Sequence, residues 1–252
     1  MKLKKTTFIF TFFLIIFASQ VFAQVDPTTT EQPSLVAKLA VLAGLALLPF
    51  LIMILTSFVK IIIVLSLFRS ALGVQQTPPN QVLTGLALLL TIYVMFPTGV
   101  AMYNSSKQVI DKAAIVPVFS SDSAKQIIEI IDAAKEPFKT FLLKNSIPKN
   151  IRSFYQIAEK TFPEPYKSSL QPTDLIVLMP SFITSQLKAA FEIGVLIYLP
   201  FFVIDLVTSN ILLAMGMMML SPLTIALPIK LLLLVMIDGW TILVQGLMLT
   251  FK

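Results

Sequence analysis

LMPSFITSQLKAAFEIGVLIYLPFFVIDLVTSNILLAMGMMMLSPLTIALPIKLLLLVMIDGW, residues 178–240, is an apolar run broken by one flexible joint and a handful of charges. A helix needs about 20 residues to cross the hydrocarbon core of a bilayer. The blocks from Leu175 to Leu213 and from Leu220 to Phe251 both exceed that length. Between them lies Ala214-Met-Gly-Met-Met-Met-Leu-Ser-Pro222, where Gly216 and Pro222 interrupt the helical pattern. The stretch reads as a helical hairpin, and the fold class as all-α.

The charges inside this hairpin need an account, because one at bilayer depth costs about 2.5–3.5 kcal/mol even on the mildest scale. Lys188 and Glu192 are four residues apart and share a helical face, so they can pair. That pair either only helps the helix pack or serves function. Asp205 has apolar neighbours on both sides, as do Lys230 and Asp238. An Asp205–Lys230 pair across the hairpin is the simplest solution; the alternative is a proton- or ion-responsive site. Lys60, in an earlier apolar block, has a stem long enough to snorkel to a polar boundary.

The joint carries Met215, Met217, Met218 and Met219 around Gly216. Methionine is unbranched and adaptable, so such a run makes a pliable apolar surface. It is either a plain hydrophobic turn or a deformable seal, closed when several copies meet in a ring.

Two more apolar blocks lie upstream, from Val36 to Phe68 and from Val82 to Met102. Arg69 to Asn80 separates them as a tight polar turn with Gly73, Pro78 and Pro79 as breakers. Pro49, Pro200 and Pro228 fall inside the blocks and predict bent or paired helices. Residues 35–103 thus form a first hairpin and residues 175–252 a second. Residues 104–174 between them are an insert of different composition. Ten Lys/Arg and eight Asp/Glu lie from Tyr103 to Asp174, which places this part outside a hydrocarbon phase. Ile127, Ile128, Ile131, Ala134 and Phe138 recur at helical spacing, and Ile151 to Phe162 predicts a second amphipathic helix.

At the N-terminus, Lys2, Lys4 and Lys5 precede an apolar run from Phe8 to Phe17, and Val21-Phe22-Ala23 closes it. A basic start, a short apolar centre and an A-x-A-like end describe a signal peptide over residues 1–23, the alternative being a retained anchor helix. A polar lead-in follows over residues 24–34. A cleaved signal peptide and two spans return the chain to the outside at Tyr103, so the insert is expected in the periplasm of a bacterial cell. The positive-inside rule does not oppose this, since it is read from loops shorter than about sixty residues.

With 56% apolar and 13% charged residues and a mean hydropathy of +0.88, the chain is unlike a soluble domain. The formal charge is +6, and removing the three leader lysines leaves +3, which gives no basis for nucleic-acid binding. Cys and His are absent, which excludes thiolate and His-based catalysis and the usual zinc sites. No GxSxG, HExxH, P-loop or dinucleotide turn occurs. No catalysis, cofactor or metal is expected.

Residues 55–97 (LTSFVKIIIVLSLFRSALGVQQTPPNQVLTGLALLLTIYVMFP) and 178–240, about two fifths of the chain, resemble the FliP/SctR family. This family supplies a core membrane component of the type III secretion export apparatus. Phe154 to Thr173 looks like the virulence (injectisome) branch, whereas the signal peptide and long N-terminal half look flagellar; the reading leans to the injectisome. The resemblance implies a pentamer joined to two smaller partners of the FliQ/SctS and FliR/SctT types, forming a closed pore for unfolded polypeptides. It implies hairpins that sit largely above the bilayer plane, packed on other subunits. It also implies that the methionine run constricts the pore, and that Asp205 and Lys230 matter for assembly or export. The competing reading is a small-solute transporter. It is motivated by the charges but lacks the two related halves such folds show.

Overall fold

The computed structural model describes residues 35–74, 77–112, 121–217 and 219–251. The expected signal peptide and lead-in lie outside the described residues, as does Met218. Every described element is a helix. In chain order they are α1 (Leu35–Leu55), α2 (Phe58–Leu72), α3 (Asn80–Lys112), α4 (Ser121–Lys144), α5 (Pro148–Thr161), α6 (Leu175–Ala214), α7 (Pro222–Met236) and α8 (Gly239–Leu249).

The core is built around α2. Ile61, Val64, Leu65, Phe68, Ala71 and Leu72 are all buried, with α3 and α6 packed on either side. Such burial follows from a helix that is apolar almost all round. Gly194 lets α6 approach, because a Cβ there would collide with the side chain of Leu67. Below this contact Phe68 stands edge-on to both Trp240 and Phe201, at 4.9 and 6.1 Å between centroids.

The insert has its own smaller core. Phe141 and Leu142 of α4 meet Leu178 and Phe182 of α6, with Ile151 of α5 and Met95 of α3 at the edge. The two amphipathic segments are thus α4 and α5, and they dock on the N-terminal turns of α6. α3 continues as one helix past residue 103 to Lys112.

The bends lie elsewhere than the prolines suggest. Pro49, Pro200 and Pro228 sit inside continuous helices. The first block instead breaks between α1 and α2, by 71°, and the fourth between α7 and α8, by 66°. At Thr56-Ser57 the threonine hydroxyl accepts the Phe58 N–H, a local alternative to the helical ladder. At the other break Asp238 adopts the left-handed conformation, φ 50°. A Cβ on the adjoining Gly239 would strike Leu234. Side-chain competition and close packing set these breaks, and neither is as visible in a sequence as proline.

Among the described residues two helices, α3 over Asn80–Lys107 and α6, are long and apolar enough to cross a membrane, and up to four spans result if each bent pair counts as one. At 40 residues α6 is about 60 Å long, twice the hydrocarbon thickness.

Candidate functional site

Asp205 lies in the second half of α6 and Lys230 in the middle of α7. The hairpin brings the Lys230 Nζ to 2.7 Å from Asp205 Oδ2. The same ammonium donates to the backbone carbonyl of Ala71, 3.1 Å away. Ala71 is in the last turn of α2, where carbonyls have no helical donor and the helix dipole is negative. One buried cation therefore satisfies a carboxylate on α6 and an orphan carbonyl on α2 from its place on α7. The Lys230 side chain is 2% exposed and that of Asp205 36%, so the pair is shielded on the lysine side and open on the other.

Downstream, α6 closes by backbone chemistry. The Met217 N–H bonds to Leu212 O and the Gly216 N–H to Leu213 O, with Gly216 at φ 72°. This is the Schellman arrangement, which needs a left-handed residue at that point and finds it in glycine. The chain turns through Met217 to Leu220 and enters α7 with Pro222 in its first turn, where the missing N–H costs nothing. Met215 and Met219 are exposed, the latter completely at 102%, and Met217 is 41% exposed. The hairpin tip is an uncovered apolar loop on a firmly closed helix end.

The remaining charges are not gathered here. Lys188 and Glu192 pair at 3.6 Å, as their spacing allows, but both side chains are more than half exposed on the outer face of α6. An exposed pair of this kind contributes little to stability. Asp238 sits at the α7–α8 break, accepting a hydrogen bond from the Thr241 hydroxyl at 3.0 Å.

Lys60 departs from the expectation that it snorkels. It is 3% exposed, and its ammonium lies 3.5 Å from the Thr250 carbonyl and 3.5 Å from the centroid of the Phe251 ring. A helix-end carbonyl and an aromatic face hold it where a carboxylate would otherwise be needed. No local pattern pairs residue 60 with residues 250–251, so only the fold reveals the contact.

A second polar cluster lies in the stretch FITSQLK of α6, where no sequence signal marks its partners. Ser185 accepts hydrogen bonds from the Ile147 N–H and the Asn150 amide, both at 2.9 Å, and donates to Ser181 O. Gln186 donates to Asn145 O at 2.7 Å. These bonds fix the α4–α5 turn on α6. Ser185→Ala should strand the Ile147 N–H and destabilise the docked insert by about 1–3 kcal/mol. Faster proteolysis between α4 and α5 in detergent is the expected readout.

Among the described residues no group of three or more acidic side chains could hold a metal ion. The arrangement offers no nucleophile beside a base, and what it offers is an apolar tip braced by buried charge.

Comparison with known proteins gives one consistent picture. Residues 41–247 match the FliP family. The chain is 44% identical to Yop proteins translocation protein R of Yersinia pestis, over 88% of this chain and 98% of that one. It is 42% identical to hypersensitivity response secretion protein HrcR of Ralstonia nicotianae, over 86% and 97% of the two. It is 38% identical to flagellar biosynthetic protein FliP of Bacillus subtilis, over 92% and 97%.

Proposed function

This chain belongs to the FliP family, and from that premise we infer that it is a component of the type III secretion export apparatus, a membrane protein of the bacterial inner membrane rather than an enzyme. Relatives named for translocation and for secretion in the hypersensitivity response are more similar to it than the flagellar relative, at 44% and 42% against 38% identity. The chain is accordingly assigned to the virulence (SctR) branch. A solute transporter is not favoured.

Within that apparatus the chain forms the export pore as a homopentamer, together with smaller proteins of the FliQ/SctS and FliR/SctT types. Unfolded polypeptides pass through it. The observation that carries this reading is the methionine loop, an apolar tip left uncovered in one subunit but anchored at its root by the Asp205–Lys230–Ala71 contact. Copies arranged around an axis would bring these tips together into a soft seal. The exposed apolar face of α6, including Leu196, Phe202, Val203 and Leu206, then becomes buried between subunits. The length of α6, about twice the hydrocarbon thickness, supports hairpins that stand partly above the bilayer. Residues 104–174 are assigned to the periplasm.

Native mass spectrometry in a gentle detergent tests the assembly. The expected species is a pentamer, alone or with small helical partners. A stable monomer as the sole species would overturn the reading.

A further inference from the structure

We propose that the turn between α2 and α3 is a backstop that sets the resting position of the methionine loop, with Arg69 and Gly73 as its positioning residues. The proposal rests on the reading of that loop as the pore seal.

The chain leaves α2 through Gly73 at φ 79°, whose N–H returns to Ser70 O at 3.1 Å. Arg69, in the last turn of α2, then reaches across the mouth of the turn. Its Nη1 donates to Pro78 O at 3.1 Å and to Asn80 Oδ1 at 2.6 Å. One guanidinium nitrogen thereby ties the start of α3 to the end of α2.

The other hairpin leans on this tied turn. Leu223, in the first turn of α7, has its Cδ1 3.1 Å from where a Cβ on Gly73 would stand. A Cβ at Gly73 would press on this methyl, and the positive φ favours glycine there in any case. Seven residues further on, Lys230 meets Ala71 O. Seven helical residues rise about 10 Å, so α7 touches the end of α2 at two levels, in its first and third turns. Of the loop residues, Met219 is fully exposed and Met215 about two-thirds exposed, so the chain itself covers neither. The loop takes its place from the root of α7, and that root takes its place from the Arg69–Gly73 turn.

Nothing in this chain of contacts requires the turn to touch the passing polypeptide. Arg69 and Leu223 act through the loop, so their loss should loosen the closed state while leaving the amount of assembled complex unchanged.

The test is small-ion leak through assembled, substrate-free complexes in membrane vesicles, normalised to the amount of complex. Leu223→Ala leaves the turn backbone untouched, and Arg69→Ala releases the turn. Each should raise the leak about tenfold, the effect of a modest shift in the closed-to-open balance. Arg69→Lys keeps a donor for Pro78 O and Asn80 Oδ1 and should recover most of the seal. If Arg69→Ala fails to assemble, Leu223→Ala decides alone. A Leu223→Ala complex that assembles normally and seals like wild type overturns the backstop. If a Met217–Met219 alanine variant leaks in the same assay, the seal reading survives that outcome. If the methionine variant seals as well, the seal reading falls too.

Discussion

Asp205→Ala should abolish most export, and it should do so by weakening assembly. Removing the carboxylate leaves the Lys230 ammonium, 2% exposed, with the Ala71 carbonyl as its hydrogen-bond acceptor. Breaking a buried pair from one side costs about 3–5 kcal/mol. The open flank of Asp205, 36% exposed, puts this case at the low end. A loss near 3 kcal/mol corresponds to roughly a hundredfold fall in correctly built complex. Glu129→Ala on the exposed face of α4 should stay within about 0.5 kcal/mol of wild type. Equal tolerance of both in a secretion assay would sink the argument. A double variant, Asp205→Leu with Lys230→Met, separates structure from titration, because apolar replacement of both partners is often neutral. If the double variant assembles and exports, the pair is a brace. If it assembles without exporting, the charges act during transport.

Alanine at Met217, Met218 and Met219 together should leave assembly intact and open the closed pore to ions. The loop lies outside both hydrophobic cores, and Met219 touches nothing within the subunit that would bury it. Its apolar area matters only where copies meet. If each side chain forfeits about 1 kcal/mol of burial there, three together shift the closed-to-open balance roughly a hundredfold. Conductance of the reconstituted, substrate-free complex is the measurement. A variant that stays sealed would reduce the run to an ordinary hydrophobic turn.

The two hairpins and the central ion pair were legible because the relevant signals are strong and sparse. Long apolar blocks leave a helix as the economical way to satisfy the backbone. With so few charges in the second hairpin, an acid and a base 25 residues apart on opposite arms have little choice of partner. That blocks would bend was legible, but the positions of the two breaks were not. Proline is the visible cause of kinks, yet Pro49, Pro200 and Pro228 are absorbed within helices, while Thr56-Ser57 and Asp238-Gly239 break them. A hydroxyl competing for one N–H and a side chain claiming the space of a missing Cβ depend on neighbours that a linear pattern does not show. Lys60 illustrates the same limit, since its partners come from the far end of the chain. Asp238 resembled Asp205 in sequence context but is held by Thr241 at a helix break. The polar pair Ser185 and Gln186 carries no pattern that points to the turn of the insert it receives.

The unbroken run of α6 has a mechanical consequence. From Ser185, where the insert is fastened, to Ala214, where the loop begins, α6 runs as one helix of about 45 Å, missing the one rung that Pro200 cannot donate. Such a rod has no loop along its length, and Pro200 is its most yielding point. If the loop is the pore seal proposed above, drag on it would be carried along α6 to the α4–α5 fastening as well as borne at the loop itself. α6 serves as the tie rod of the subunit, and its two anchorages share one tension.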